Sequence, residues 1–324
     1  MTGKKQYRSG FSPSPFPFTL QSPTIPAKAL LAQERSCCCP EYPGKFTEFP
    51  KDMAFKYALC SEVFSSPLDE TISSIAEAGF DGIEIAPFNA GESVEDVSSD
   101  ERAQLRQQAA DAGLEIVGLH WLLVSPPGLH LTTGDSSVRE QTSAYLKALA
   151  QFCSDLGGKV MIFGSPKQRN LAEGDDRSTA FERAAEVLRE VGRTCEDLGV
   201  QLLLEALSPM ETNFIQTIEE ALELRDAIDS PGIGYMLDCK AMSSMPAGIE
   251  GTILQHGKEA GHFHANQPDG KGPGMGEVEF EPILSALKES GYEGWVSTEP
   301  FDYKPDPMTV ARTALSTLRE AAGS

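Results

Sequence analysis

The chain is short of positive charge and of histidine, and it has no long apolar run. It sets 27 Lys and Arg against 48 Asp and Glu, a formal net charge of −21 over 324 residues. A surface this acidic repels phosphate backbones, so no nucleic-acid partner is expected. No apolar stretch approaches the roughly 18 residues that span a bilayer, so no membrane partner is expected either. Five His leave little room for a multinuclear zinc centre. The seven Cys form no CxxC pair and no metal-finger spacing. That usage suits free thiols in a reducing, cytoplasmic compartment. What is plentiful is apolar side chain: at 40% of the residues it supports a large core.

Composition divides the chain in two. Residues 1–52 hold seven basic and four acidic residues, eight of the 22 Pro, and the run Cys37-Cys38-Cys39. Such proline density opposes packed helix or central strand. A processed targeting peptide, a disordered extension and a start upstream of the true one all fit it. The apolar stretch 27–32 is too brief for a signal-peptide core. Residues 1–52 are therefore read as a disordered extension or mis-assigned start, and residues 53–324 as the catalytic domain.

From Met53 onward, short apolar, β-branched runs alternate with longer amphipathic ones. Strands are expected at 57–64, 82–87, 116–122, 159–164, 200–205, 234–238, 260–264 and 294–299. Between and after them, helices fit from Ser66-Pro67 onward and at 99–112, 136–156, 177–198, 217–229, 247–258, 280–290 and 306–321. Gly79, Gly113, Gly199 and Gly291 supply recurring helix stops. Eight such units predict a single (β/α)8 barrel, a fold of typically about 250 residues. A doubly wound sheet would carry a glycine-rich phosphate loop after its first strand. Here that segment is Cys60-Ser61-Glu62-Val63-Phe64, without glycine.

Barrel enzymes build their sites at the C-terminal ends of the strands. Strands five to eight present Glu205, Asp238, His264 and Glu299 at that level. Three converging carboxylates repel one another unless a cation sits between them. Three oxygen donors and one imidazole suit one divalent ion, Mn²⁺, Mg²⁺ or Co²⁺, with Zn²⁺ a further option. Other strand-end residues have both functional and plain readings. His120 is a packed histidine or a substrate contact, and Trp121 can wall a sugar face. Lys167 and Arg169 bind a phosphate or carboxylate, or are solvated loop charge. Lys240 polarises a substrate oxygen or pairs with acidic neighbours. His262 and Glu84 point into the barrel behind the donors.

The elements Leu204-Glu205, Leu237-Asp238, His262-Phe263-His264 and Thr298-Glu299-Pro300-Phe301 resemble the xylose isomerase-like TIM-barrel superfamily. Within it they resemble the sugar phosphate isomerase/epimerase branch that contains the D-tagatose and D-psicose 3-epimerases. Gly272-Pro273-Gly274-Met275-Gly276 and Gly291-Tyr292-Glu293-Gly294 carry the same likeness, which spans about residues 55–322. The resemblance implies a single metal held by Glu205, Asp238, His264 and Glu299. It implies that Glu205 and Glu299 double as the acid/base pair, that Glu211 binds substrate hydroxyls, and that a homo-oligomer forms. Two positions depart from the pattern. Ala241 stands where those epimerases have His, and Gly270 where they have Arg, which implies a kept metal site and a changed ketose pocket.

A metal chelated by a carbonyl and its neighbouring hydroxyl makes the C–H acidic and stabilises an enediolate. Proton return to the same carbon from the opposite face is epimerisation, and return to the carbonyl carbon is isomerisation. Loss of a β-hydroxyl is dehydration, as in the related inosose dehydratases. The expected function is a metal-dependent sugar isomerase or epimerase with a sugar or sugar-like substrate; dehydratase or lyase chemistry is the alternative. A non-catalytic sugar-binding barrel would have no need for both Glu205 and Glu299. The endonuclease IV branch calls for more His and a DNA-binding surface.

Overall fold

A computed structural model describes residues 54–323; the extension read at 1–52 lies outside the described residues. Eight parallel strands close into a barrel in chain order. They are β1 (Tyr57–Cys60), β2 (Gly82–Ile85), β3 (Glu115–Leu119), β4 (Val160–Phe163), β5 (Gln201–Glu205), β6 (Ile233–Asp238), β7 (Phe263–Ala265) and β8 (Val296–Thr298). Around them run α1 (Leu68–Ala78), α2 (Ser99–Asp111), α3 (Ser136–Leu156), α4 (Arg177–Leu198), α5 (Ile218–Ile228), α6 (Cys239–Met242), α7 (Gly248–His256), α8 (Phe280–Ser290) and α9 (Pro307–Ala322). The barrel expectation is met.

Local chemistry sets the punctuation. Gly79 and Gly199 end α1 and α4 in the left-handed conformation, which costs glycine little. Asp229 makes the same turn after α5 with φ 54°. Ser98 and Glu101 form a reciprocal capping box that starts α2. Asp135, Asp176, Thr217 and Asp306 cap α3, α4, α5 and α9 through side-chain oxygens.

Two differences from expectation bear on the site. The first strand stops at Cys60, and Ser61–Val63 turn into a 3-10 helix at the C-terminal end of the strand. Val63 and Phe64 resume the apolar pattern after the polar pair Ser61-Glu62, so the pattern alone does not mark where the strand ends. The helix expected at 247–258 is also not the first element after β6. The short α6 precedes it, opened by Asp238, whose Oδ1 accepts from the Ala241 amide at 2.7 Å. The sixth strand therefore hands its last carboxylate directly to a helix start.

The two-residue period of the strands stacks the barrel interior in layers. On β4, β5 and β6 the layer Ile162, Leu203 and Met236 is fully apolar and packs as its own cluster. Two residues further along, the same faces carry Gly164, Glu205 and Asp238. Apolar bulk thus closes the barrel floor directly beneath the acidic layer.

Candidate active site

Glu205, Asp238, His264 and Glu299 close four neighbouring strands. One donor atom from each lies within 4.8 Å of the others. Strand register makes this meeting: Asp238 is level with His264, and His264 with Ser297 two residues before Glu299. Each of the four is at most 6% exposed. Space is made for Glu205 by Gly164, where a Cβ would stand 1.7 Å from Glu205 Oε2.

Electrostatics mark the cluster as crowded with negative charge. Burial, reinforced by the Glu205 carboxylate, pushes Glu299 up to about 8 and Asp238 up to about 6. Burial alone would lower His264, yet Glu299 and Glu84 hold it well above the usual histidine range. Its Nδ1 is 3.0 Å from Glu299 Oε2 and 3.6 Å from Glu205 Oε1. Three carboxylates and one imidazole, dry and convergent, are a donor set that fits a divalent cation.

Behind the donors lies one fully buried carboxylate. Glu84 Oε2 is 2.7 Å from His262 Nε2 and accepts from Ser297 Oγ at 2.7 Å. Its Oε1 is 3.1 Å from His264 Nε2 and 3.6 Å from His120 Nδ1. Burial opposes the charge on Glu84, but His262 and His264 hold its carboxyl well below the usual range. Asp238 is steadied likewise, since Asn266 Nδ2 donates to its Oδ2 at 2.7 Å.

A cleft of about 460 Å³ opens above this floor, lined in part by His120, Trp121, Glu211, Lys240 and Phe301. Trp121 and Phe301 meet edge to face with centroids 6.3 Å apart. Trp121 holds a left-handed backbone at φ 54°, uncommon for so bulky a residue. Lys240 Nζ pairs with Glu211 Oε1 and lies 5.4 Å from the Phe301 ring centroid. Glu211 Oε2 also accepts from Ser208 Oγ at 2.7 Å.

His120 lines the cleft and is 1% exposed, with Nε2 2.5 Å from Glu62 Oε2. Burial disfavours its charge, but Glu62, and then Glu84, push it up to about 9.

Two of the sequence-predicted residues are not brought to the cleft. Lys167 is exposed on the 3-10 turn after β4. Arg169 is fully buried, and its Nη1 donates to the carbonyls of Phe163 at 3.2 Å and Glu205 at 2.7 Å. It binds the ends of β4 and β5 together instead of facing an anion. Conversely, Glu62, Gly164, Asn266 and Ser297 carry weight that sequence reading did not assign. Glu62 was hidden by extending the first strand past Cys60. Asn266, two residues after His264, is the one a periodicity argument could have found.

A sequence profile described as the xylose isomerase-like TIM barrel matches residues 72–321. The chain belongs to that family. In this family member, Ala241 is buried and Gly270 has φ 83°, with its carbonyl accepting from the Phe301 amide at 2.6 Å. A "D-psicose 3-epimerase" of Ruminiclostridium cellulolyticum is 28% identical over 253 residues, covering 76% of this chain and 82% of its own. A "Probable ketose 3-epimerase" of Synechocystis sp. is 27% identical over 227 residues, covering 70% of this chain and 76% of its own. A solved D-psicose 3-epimerase with D-tagatose, from Clostridium cellulolyticum H10, matches with TM-score 0.69 at 24% identity, covering 83% of this chain and 96% of its own. That last likeness speaks for the fold alone. Among the described residues, no helix is long and apolar enough to cross a membrane.

Proposed function

We propose that the chain is a divalent-metal-dependent sugar epimerase or isomerase that moves a proton on the carbon beside a carbonyl. The observation that carries this reading is the placement of Glu205 and Glu299 on strands three apart, both meeting His264 Nδ1 at the cleft floor. Relatives named as ketose 3-epimerases support the reaction class. Glu205, Asp238, His264 and Glu299 would hold the cation. When bound, it would draw electron density from a carbonyl and its neighbouring hydroxyl and so acidify the C–H of the hydroxyl-bearing carbon.

The side chains do the rest. One of the two glutamates accepts the proton at a carboxylate oxygen on one face of the sugar, and the other, protonated, returns one on the opposite face. Their burial keeps bulk water from quenching the exchange. Glu211 accepts from and Lys240 donates to hydroxyls at the far end of the sugar. Trp121 and Phe301 cover its less polar face, while Glu84 and Asn266 keep His264 and Asp238 oriented.

The test is a panel of free ketoses, sugar phosphates and keto-inositols incubated in D₂O with Mn²⁺, the products being read by NMR. The expected product is a sugar with one inverted centre, or a shifted carbonyl, bearing deuterium at the altered carbon. A dehydrated product, or turnover of none of the panel, would overturn the reading.

A further inference from the structure

A second set of ligand-type side chains sits on the same face of the barrel, unused by the chemistry above. Cys60 closes β1, Glu62 stands on the 3-10 turn after it, and His120 lies just beyond β3. Together with Glu299 they bring one donor atom each to within 4.8 Å of one another. Cys60 is fully buried, His120 is 1% exposed and Glu299 6%. Two buried atoms of the group, Glu62 Oε1 and His120 Nδ1, have no hydrogen-bond partner.

We propose that Cys60, Glu62 and His120 form, with Glu299 as a shared carboxylate, a second divalent-cation site beside the first. The two sites differ in softness. The first offers three carboxylates and an imidazole, and hard oxygen donors suit Mn²⁺ or Mg²⁺. The second adds a thiolate to an imidazole and two carboxylates, a set that selects Zn²⁺ or Co²⁺. Glu299 has two oxygens and can give one to each ion, as bridging carboxylates do.

The geometry needs little rearrangement. Metal–ligand bonds of about 2.0–2.3 Å place tetrahedral donors about 3.4 Å apart. The outer donors must therefore close in slightly, and the Glu62–His120 contact of 2.5 Å must open to admit the ion. Glu62 rides on a turn of three residues, which gives it that freedom. The orientation of His120 is already suitable: Nε2 faces Glu62, while Nδ1 faces Glu84 Oε1 at 3.6 Å. A carboxylate behind the far ring nitrogen is the usual companion of a metal-binding imidazole. Glu84 then backs one histidine of each site, His120 and His264.

A second ion goes beyond the single one of the proposed function and is tested without turnover. The full-length chain is stripped with a chelator and titrated with Co²⁺. Cys37, Cys38 and Cys39 are first replaced by serine, because three adjacent thiols can themselves bind cobalt. The expected result is two equivalents bound, with a near-ultraviolet thiolate-to-cobalt band saturating with one of them. Cys60→Ser should abolish the band and reduce the stoichiometry from two to one, and Glu62→Gln should weaken the band-forming ion at least tenfold. Asp238→Asn should weaken the other ion and leave the band. One bound equivalent, two equivalents without the band, or two retained by Cys60→Ser would each overturn the proposal. The titration of the chain with Cys60 intact decides the matter even if a variant folds poorly.

Discussion

Glu84 and His264 meet at 3.1 Å through Oε1 and Nε2, and the same imidazole turns its Nδ1 toward Glu299 at 3.0 Å. One buried carboxylate from the second strand therefore sets which ring nitrogen faces the cleft. That arrangement spends a fully buried charge, which is tolerable because two imidazoles and a hydroxyl surround it.

Removing that charge should unbalance the interior. Glu84→Leu leaves His262, His264 and Ser297 without their acceptor, and breaking a buried pair of this kind costs about 3–5 kcal/mol. Urea denaturation should show a lower midpoint with an unchanged slope. A midpoint equal to that of the unaltered chain would show that the network is dispensable.

Substitution at the two cleft glutamates should affect the chemical step. Glu205→Gln and Glu299→Gln should each lower kcat by at least about 10²-fold, the lower end of general acid–base contributions. Both should also weaken Mn²⁺ binding, since each loses a charged donor. Glu211→Gln should chiefly raise KM, because its hydrogen bonds are made equally in ground and transition states. Steady-state kinetics at saturating Mn²⁺ separate these outcomes. Near-normal kcat in either of the first two variants would place the base elsewhere.

Gly164 gives a steric test of the same carboxylate. Its Cβ position is 1.7 Å from Glu205 Oε2, so Gly164→Ala must push Glu205 aside. The variant should fold and lose Mn²⁺ affinity at least tenfold, as read by titration calorimetry. Unchanged affinity would mean that Glu205 is not a ligand.

Stability should fall with rising pH when no metal is present. Glu299, Asp238 and His120 have folded-state values raised to about 8, 6 and 9. Each keeps a proton that the unfolded chain releases earlier, so stability is lost as pH climbs through those values. The opposite shifts fall outside this window: Glu84, His262 and His130 are lowered and act at or below about pH 6.5, and Arg169, lowered to about 10, acts above it. Tm of the chelator-treated chain should therefore drop between pH 7 and 9. Added Mn²⁺ should restore it most at pH 9, because the cation takes the place of protons. A Tm that rises across this window would contradict the raised values.

The barrel and the four side chains that converge at the C-terminal ends of its strands were legible in the linear chain because both obey short periods. Alternation of apolar runs announces strands and helices. A polar residue at a strand end stands out against apolar neighbours, as Glu205 does after Leu202-Leu203-Leu204 and Asp238 after Tyr235-Met236-Leu237. Tertiary structure alone decided what lay between strands. Nothing in the spacing links Glu62 to His120, 58 residues later, because barrel closure makes that contact. Arg169 shows the same limit in reverse. Its sequence neighbours read as a basic, solvent-facing loop, yet the fold swings the guanidinium inward onto the carbonyls of Phe163 and Glu205. Local pattern specifies which residues reach the catalytic end of the barrel. Which of them face the cleft, and which brace it from behind, depends on loop paths that only packing of the whole ring determines.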